Sequence, residues 1–264
     1  MLVHIVADYG QGDLAFAEVV QRIKRYLPDA EMMLTPVPSF STLAAGFCVA
    51  QLGLNDPPAG TLIFQNVAPR LDDKRARAGN AGERLAYARL ITGVRVIGVN
   101  AGYAFSFLRE VSEELRWVSV PAEGSQFRSR DLFPQAIAEM VQGRADILAE
   151  KIPFDKIPEI PKNRIAYIDG YGNLKTTLDR ESFRQPAGAS LVVRIGKADH
   201  KVIAAPASFG VPFGEMALAP GSSGWRDAGG KEIRWMELFL RGGNAWEAFG
   251  RPPVGASIEI DFKS

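Results

Sequence analysis

In the first half of the chain, short apolar runs alternate with stretches in which apolar residues recur every three to four positions. Leu2–Ala7 is a run of strand length that ends in Asp8-Tyr9-Gly10-Gln11-Gly12-Asp13. Phe16, Val19, Val20, Ile23, Tyr26 and Leu27 then share one helical face, and Pro28 closes that helix. Met32–Val37 predicts a second strand, and Ser41 caps a helix carrying Leu43, Phe47 and Leu54. Thr61–Val67 predicts a third strand, apolar on both sides and therefore central. Val94–Val99 predicts a fourth. Between these two, a polar segment, Arg70–Gly82, leads into a helix-like Glu83–Ile91. Asp131 caps a last helix, Leu132–Gln142, with Pro134 tolerated in its first turn. This alternation over residues 1–150 predicts an α/β domain with a mostly parallel sheet.

The pattern then changes. Lys151–Pro161 carries three prolines and predicts a stiff linker over 151–163. From 164 to 264 strand patterns dominate: Arg164–Ile168, Ser190–Ile195, Lys201–Ala205, Glu232–Leu240 and Ser257–Phe262. Short β-runs with Gly/Pro turns and no long helix predict an all-β C-terminal barrel or sandwich.

Composition narrows the function. Of the 264 residues 47% are apolar and 23% charged, enough for a sizeable core in each of two domains. Lys+Arg is 31 against 30 Asp+Glu, and a near-zero net charge argues against a dedicated nucleic-acid binder. No apolar run reaches membrane-spanning length, and the first residues run straight into a strand pattern. The single Cys48 excludes an intrachain disulfide and reads as a buried thiol in a reducing compartment. A cytoplasmic protein without a membrane partner is expected. His4 and His200 are the two histidines, and neither has a Cys or His at metal-ligand spacing, so no metal site is expected.

The densest chemistry lies in Ile168-Asp169-Gly170-Tyr171-Gly172-Asn173-Leu174-Lys175-Thr176-Thr177. Glycine permits close backbone approach, Tyr171 offers a flat stacking face, and the Asn173 amide both donates and accepts. Those groups suit a purine with its sugar; the same residues also suit a hairpin turn. Asp8, at the end of the first strand, is placed where ligands bind in open α/β sheets, or else caps the next helix.

Several ordered segments together resemble the S-adenosylmethionine (SAM) hydroxide adenosyltransferase family, which includes the SAM-dependent chlorinases and fluorinases. The family's T-D-F-G opening is similar to Ala7-Asp8-Tyr9-Gly10. Its D-P-G-V-G…R segment resembles Ala68-Pro69-Arg70-Leu71-Asp72…Arg75, and its P-D-N-G resembles Val99-Asn100-Ala101-Gly102. F-H-G-R-D-I-F becomes Phe127-Arg128-Ser129-Arg130-Asp131-Leu132-Phe133, and I-D-x-F-G-N-L-x-T-N matches Ile168–Thr177. G-S-S-G-Y…N-G-G-N-A-A resembles Gly221-Ser222-Ser223-Gly224-Trp225…Arg241-Gly242-Gly243-Asn244-Ala245-Trp246.

The resemblance implies an α/β domain plus a β-barrel, assembled as a homotrimer whose ligand lies between subunits. It implies SAM or adenosine as substrate or ligand, with no separate cofactor required. Asp8 would hold the ribose hydroxyls, and Phe40 would enclose the sugar or sulfonium, unless it is a core or staple residue. Tyr171 and Asn173 would contact adenine or ribose. Ser222, Ser223, Asn244 and Ala245 would receive the adenine edge and the methionine end, although Gly-Ser-Ser-Gly is also simply a turn.

The departures bear on mechanism. The family's hydrolases activate water with an Asp-Arg-His set, and water attacks C5′ in line with the departing sulfur. Here the aspartate position is Ala68, the arginine is Arg75 and the histidine position is Arg128. Alanine orients nothing, and arginine stays protonated, so neither serves as a general base. What remains is a candidate catalytic set of Arg75, Arg128 and Ser129. Arg70 is a further cation, and Ser129 matches a serine that helps bind halide in the halogenases. Alternatively, Arg128 and Arg130 pair with Asp131 or with glutamates at the surface. Three readings stay open: a SAM-cleaving adenosyltransferase, an inactive or respecialised binder of an adenosine-containing ligand or an anion, or a structural trimeric α/β-plus-barrel protein with no nucleoside site. An insertion, Arg226–Arg241, predicts an extended hairpin.

Overall fold

A computed structural model describes residues 1–69, 82–121 and 123–262. The chain divides into two units, Met1–Glu159 and Ile160–Ser264. The division falls inside the proline-bearing segment, where Ile152 and Ile157 are buried.

The first unit begins with β1 (Leu2–Ala7), α1 (Leu14–Tyr26), β2 (Glu31–Pro36), α2 (Thr42–Leu54) and β3 (Leu62–Asn66). It continues with β4 (Leu85–Leu90), β5 (Arg95–Val99), β6 (Ser112–Val118), α3 (Arg128–Asp131), α4 (Phe133–Val141) and β7 (Leu148–Lys151). Its seven-stranded sheet runs β2-β1-β3-β5-β4-β6-β7. The sheet is mixed rather than mostly parallel. β2, β1, β3 and β5 are parallel neighbours. β4 pairs antiparallel with β5 and β6, and β6 with β7.

The difference traces to Leu85–Leu90, which the sequence reads as helical. Both faces of this strand are covered, so its burial shows no two-residue alternation. A tight turn at Thr92-Gly93 returns the chain to β5, with Gly93 N donating to Leu90 O at 2.8 Å. Asp131 also departs from expectation. α4 starts at Phe133 without a side-chain cap, and the Asp131 carboxylate is taken by Arg130 and Ser125.

One sheet face carries Val3, Ile5, Leu62, Phe64, Tyr87 and Ile97 against Phe16, Val19 and Ile23 of α1 and Phe133, Ile137 and Met140 of α4. Fully burying each large apolar side chain contributes about 1.5–3 kcal/mol. α2 packs on the opposite face, where a Cβ at Gly53 would meet the Leu90 and Ile63 side chains. Asp13 caps α1 by accepting from Ala15 N, and Ser41 caps α2 by accepting from Ala44 N. α2 is buried nearly all round, which explains why its sequence lacks a polar face.

The second unit holds β8 (Ile165–Ile168), β9 (Leu174–Asp179), β10 (Ser190–Ile195), β11 (Ala198–Ala204), β12 (Met216–Arg226), β13 (Glu232–Leu240), α5 (Ala245–Ala248) and β14 (Ile258–Phe262). Its sheet runs β14-β10-β11-β12-β13-β9-β8, antiparallel except at β11·β12. The outermost strands meet through a bridge between Arg164 and Ser257, with Ile165 N donating to Ala256 O and Ile258 N to Asn163 O. The sheet therefore curls on itself around Ile165, Leu174, Leu191, Val193, Leu218 and Leu238. His200 lies within β11, and its Nε2 hydrogen-bonds Ala248 O at 2.8 Å.

Candidate functional site

In the first unit β1 has β2 on one side and β3 on the other. The crevice at the carboxyl ends of β1 and β3 is thus a topological switch point, where open α/β sheets bind ligands. Asp8 follows β1 directly. Its Oδ2 accepts from Phe40 N at 2.9 Å, while no described partner takes up Oδ1. Phe40 has φ 62, a left-handed conformation rare for a bulky residue, and its ring is 42% exposed. The Asp8 carboxylate thus helps fix a strained aromatic residue at the crevice.

Beside it Asn66 Nδ2 donates to the Tyr9 hydroxyl at 2.8 Å, and Tyr9 Oη lies 2.6 Å from Ser129 Oγ. Ser129 is buried. The Tyr9 ring is set edge-on against Phe16 and Phe127. This Asn66–Tyr9–Ser129 chain ties the ends of β1 and β3 to α3. Tyr9→Phe removes its central hydroxyl and is expected to lower stability by about 1 kcal/mol, read as a lower urea midpoint by circular dichroism; an unchanged midpoint would discount the link.

Arg128 is directed inward. Its Nη1 donates to Glu83 O at 2.9 Å and its Nη2 to Pro121 O at 3.3 Å, with the guanidinium 5.0 Å from the Phe133 ring centroid. Burial lowers its pKa from the usual arginine value, with Glu83 acting the other way. The surface pairing with Asp131 belongs instead to Arg130, which also reaches Glu18 at 3.1 Å. Hydrogen bonds from Arg130 and then Ser125 hold the Asp131 carboxyl down at about 2. Ala68 packs against the first core. Arg70 and Arg75 lie outside the described residues. Burial pushes the Cys48 thiol up to about 12, which removes it as a nucleophile. Among the described residues no group of three His, Cys, Asp or Glu side chains is placed to hold a metal ion.

In the second unit residues 169–173 form the turn between β8 and β9. Asp169 Oδ1 accepts from Tyr171 N and Asn173 N, both at 3.0 Å, and Asp169 Oδ2 accepts from Asn173 Nδ2 at 3.0 Å. Tyr171 is 83% exposed on top of this turn. Gly172 has φ +79, and a Cβ there would lie 2.0 Å from Asn244 Oδ1. Asn244 in turn caps α5, accepting from Glu247 N at 2.9 Å, and Trp246 N donates to Gly172 O at 2.8 Å. Ala245 is fully buried at the start of α5.

Gly221-Ser222-Ser223-Gly224 is not a turn. It lies within β12, at the register shift between Pro220 and Gly224 that marks a bulge. Ser222 is exposed and its Oγ accepts from Lys175 Nζ at 3.3 Å, whereas Ser223 is buried. Tyr171, Asn173, Ser222, Asn244 and Ala245 therefore share one neighbourhood of the second unit. Asp8, Phe40 and Ser129 lie at the strand ends of the first.

Sequence reasoning missed Lys175 and Glu237. Lys175 Nζ lies 3.0 Å from Glu237 Oε2 and 3.7 Å from Asp169 Oδ2, with side chains only 12%, 7% and 20% exposed. A lysine two positions after Asn173, set between Leu174 and Thr176 at the start of a strand, was the available signal.

The chain is similar over 98% of its length to the crystal structure of an uncharacterized conserved protein from Thermotoga maritima, of which it covers 99%, with a TM-score of 0.75 and 18% identity. It is similar over the same share to a conserved hypothetical protein from Thermus thermophilus, covering 98% of that chain with a TM-score of 0.66 and 20% identity. The fold is shared. At these identities the likeness carries fold and nothing further. No family model matches the chain, and no curated protein does. Among the described residues no helix is long and apolar enough to cross a membrane.

Proposed function

We propose that this protein binds an adenosine-containing ligand, SAM or adenosine, in the manner of the SAM hydroxide adenosyltransferases. The observation that carries the reading is the 169–173 turn. It presents an exposed Tyr171 ring and the Asn173 amide on a backbone braced by Asp169 and Asn244. A ring held on a rigid turn loses little entropy when a base stacks on it. The Asp8 oxygen left over from Phe40 is a suitable acceptor for a ribose hydroxyl.

The associated reaction is in-line attack on C5′. An oxygen or halide bond to C5′ forms as the C5′–S bond breaks, and the sulfonium leaves as neutral methionine. Its positive charge makes sulfur a good leaving group, so placement and desolvation of the nucleophile carry most of the catalysis. Attacking water must release a proton, and Ala68 and Arg128 supply no base for it.

The engagement of Arg128 with two backbone carbonyls favours a second reading, a respecialised binder that holds the nucleoside without hydrolysing it. Assembly as a homotrimer and a cytoplasmic location belong to the proposal as well.

Incubation of the purified protein with SAM, with and without halide, separates the two. Adenosine or 5′-halo-adenosine appearing with methionine, and abolished by Asn173→Ala, supports the transferase. Saturable binding without product supports the binder. Absence of any nucleoside binding in calorimetry overturns both. Mass photometry of the same sample tests the trimer.

A further inference from the structure

The sheet of the first unit ends in two unlike edges. β7, at one end, is short and sets exposed Glu150 and Lys151 toward solvent, and charges on an edge strand discourage pairing with another chain. β2, at the other end, carries no charge after Glu31 and leaves Met33 53% and Leu34 45% exposed. Neighbouring strand residues point to opposite faces, so apolar surface is uncovered on both sides of this edge.

The backbone of β2 is equally open. Glu31 N donates to Met1 O and Val37 N to Ala7 O, so the odd-numbered amides face β1. The N–H groups of Met32 and Leu34 therefore face outward, and among the described residues nothing accepts from them. The open stretch is closed at both ends. Pro36 has no N–H. Ala30 N already donates to Leu27 O at 3.2 Å, and Ala30 O accepts from Lys24 Nζ at 3.1 Å. A copy of the same strand completes this set. In antiparallel order about a two-fold axis at Met33, Met32 exchanges both backbone bonds with the partner's Leu34, and Leu34 does so with the partner's Met32. All four outward donors are then used. Met33 meets the partner's Met33 on one face, and Leu34 meets the partner's Met32 on the other. Glu31 falls opposite the partner's Thr35, so no like charges face each other. An axis at Leu34 instead would drive the Pro36 ring into the partner's Met32 carbonyl.

We propose that β2 is the contact through which this chain pairs with a second copy of itself, joining two sheets edge to edge in an isologous dimer. The contact uses the first unit alone and is independent of the nucleoside reading and of the proposed trimer. A strand of 6 residues on each side makes a small interface, so the pairing is expected to be weak and concentration-dependent.

Sedimentation velocity of the full chain over a concentration series tests this. The wild type is expected to double in mass from its smallest assembly as concentration rises. Met33→Lys sets two like charges face to face at the axis. It is expected to weaken the doubling by about tenfold or more, with an unchanged melting curve because the side chain is exposed. Cysteine crosslinking reads the register. Directly opposed residues of a non-hydrogen-bonded pair have Cα atoms about 4.5 Å apart, within disulfide reach, whereas diagonal neighbours are about 7–8 Å apart. Mild oxidation is therefore expected to give a covalent dimer from Met33→Cys and none from Leu34→Cys. Cys48 is buried and contributes no background. A doubling untouched by Met33→Lys, or a crosslink from Leu34→Cys in preference to Met33→Cys, overturns the proposal. A wild-type mass that stays constant with concentration overturns it as well and leaves the edge to a strand of another protein.

Discussion

Lys175→Met is expected to remove about 3–5 kcal/mol of stability from the second unit. The Lys175 and Glu237 side chains are 12% and 7% exposed, and their charged atoms are 3.0 Å apart. Glu237 sits under Gly221, where even a Cβ would meet Glu237 Oε2 at 2.5 Å. Removing the lysine leaves the glutamate charge buried with no counter-ion, and an unpaired buried charge costs far more than the pair contributes. The double variant Lys175→Met/Glu237→Met removes both charges and should recover most of the loss, since apolar replacement of a whole buried pair is often neutral. Urea unfolding followed by tryptophan fluorescence reports on this unit, which contains Trp225, Trp235 and Trp246 of the four tryptophans. A single variant within about 1 kcal/mol of wild type would mean that water already reaches the pair.

Gly172→Ala is expected to cost about 3 kcal/mol and to weaken nucleoside binding by about a hundredfold. Two effects add. The residue has φ +79, a left-handed conformation that costs an L-side chain about 1–2 kcal/mol. The new Cβ would also lie 2.0 Å from Asn244 Oδ1, so Asn244 must rotate and give up its cap on α5, worth about 1 kcal/mol. The backbone bond from Trp246 N to Gly172 O is strained by the same movement. Gly170→Ala is the control. Its Cβ would meet nothing within 4 Å, and both stability and binding should match wild type. Comparable losses in the two variants would show general fragility of the loop and not a clash with Asn244.

The parts that the sequence reveals are those governed by local rules. β1, α1, β2, α2 and β3 follow from periodicity and from the cap at Ser41, because each buries one defined face or ends on one defined side chain, whereas the cap of α1 is Asp13 and not Asp8, the acid that the sequence offered for it. β10, β13 and β14 follow from β-branched and apolar runs. β4 escapes such a reading because it is covered on both faces. β12 is hidden because Pro220-Gly221-Ser222-Ser223-Gly224 has turn composition but serves as a bulge within a strand. The switch from parallel to antiparallel pairing after β5 depends on which partner the chain meets, and no local pattern encodes that.

At the site, the 168–177 segment is legible because glycine, tyrosine and asparagine announce a turn that exposes a ring. The role of its neighbours is not. Asp169 reads as a turn acid, and only the folded turn shows it receiving three hydrogen bonds, one of them from the Asn173 amide. Arg128 reads as a surface or pocket cation. Its engagement with Glu83 O and Pro121 O depends on contacts 45 and 7 positions away. Short spacings can be judged from sequence, whereas the longer reach cannot.

The junction of Arg164 with Ser257 has a consequence for biosynthesis. Strands emerge from the ribosome in chain order, yet the partner that seals β8 is β14, made after every other strand of its unit. Until then β8 presents an open edge of unpaired amides next to an incomplete core, the arrangement most prone to adhere to other nascent chains. Closure of the second unit is thus the last step in its assembly, and truncation before Ile258 should yield insoluble protein even with every proposed ligand residue present.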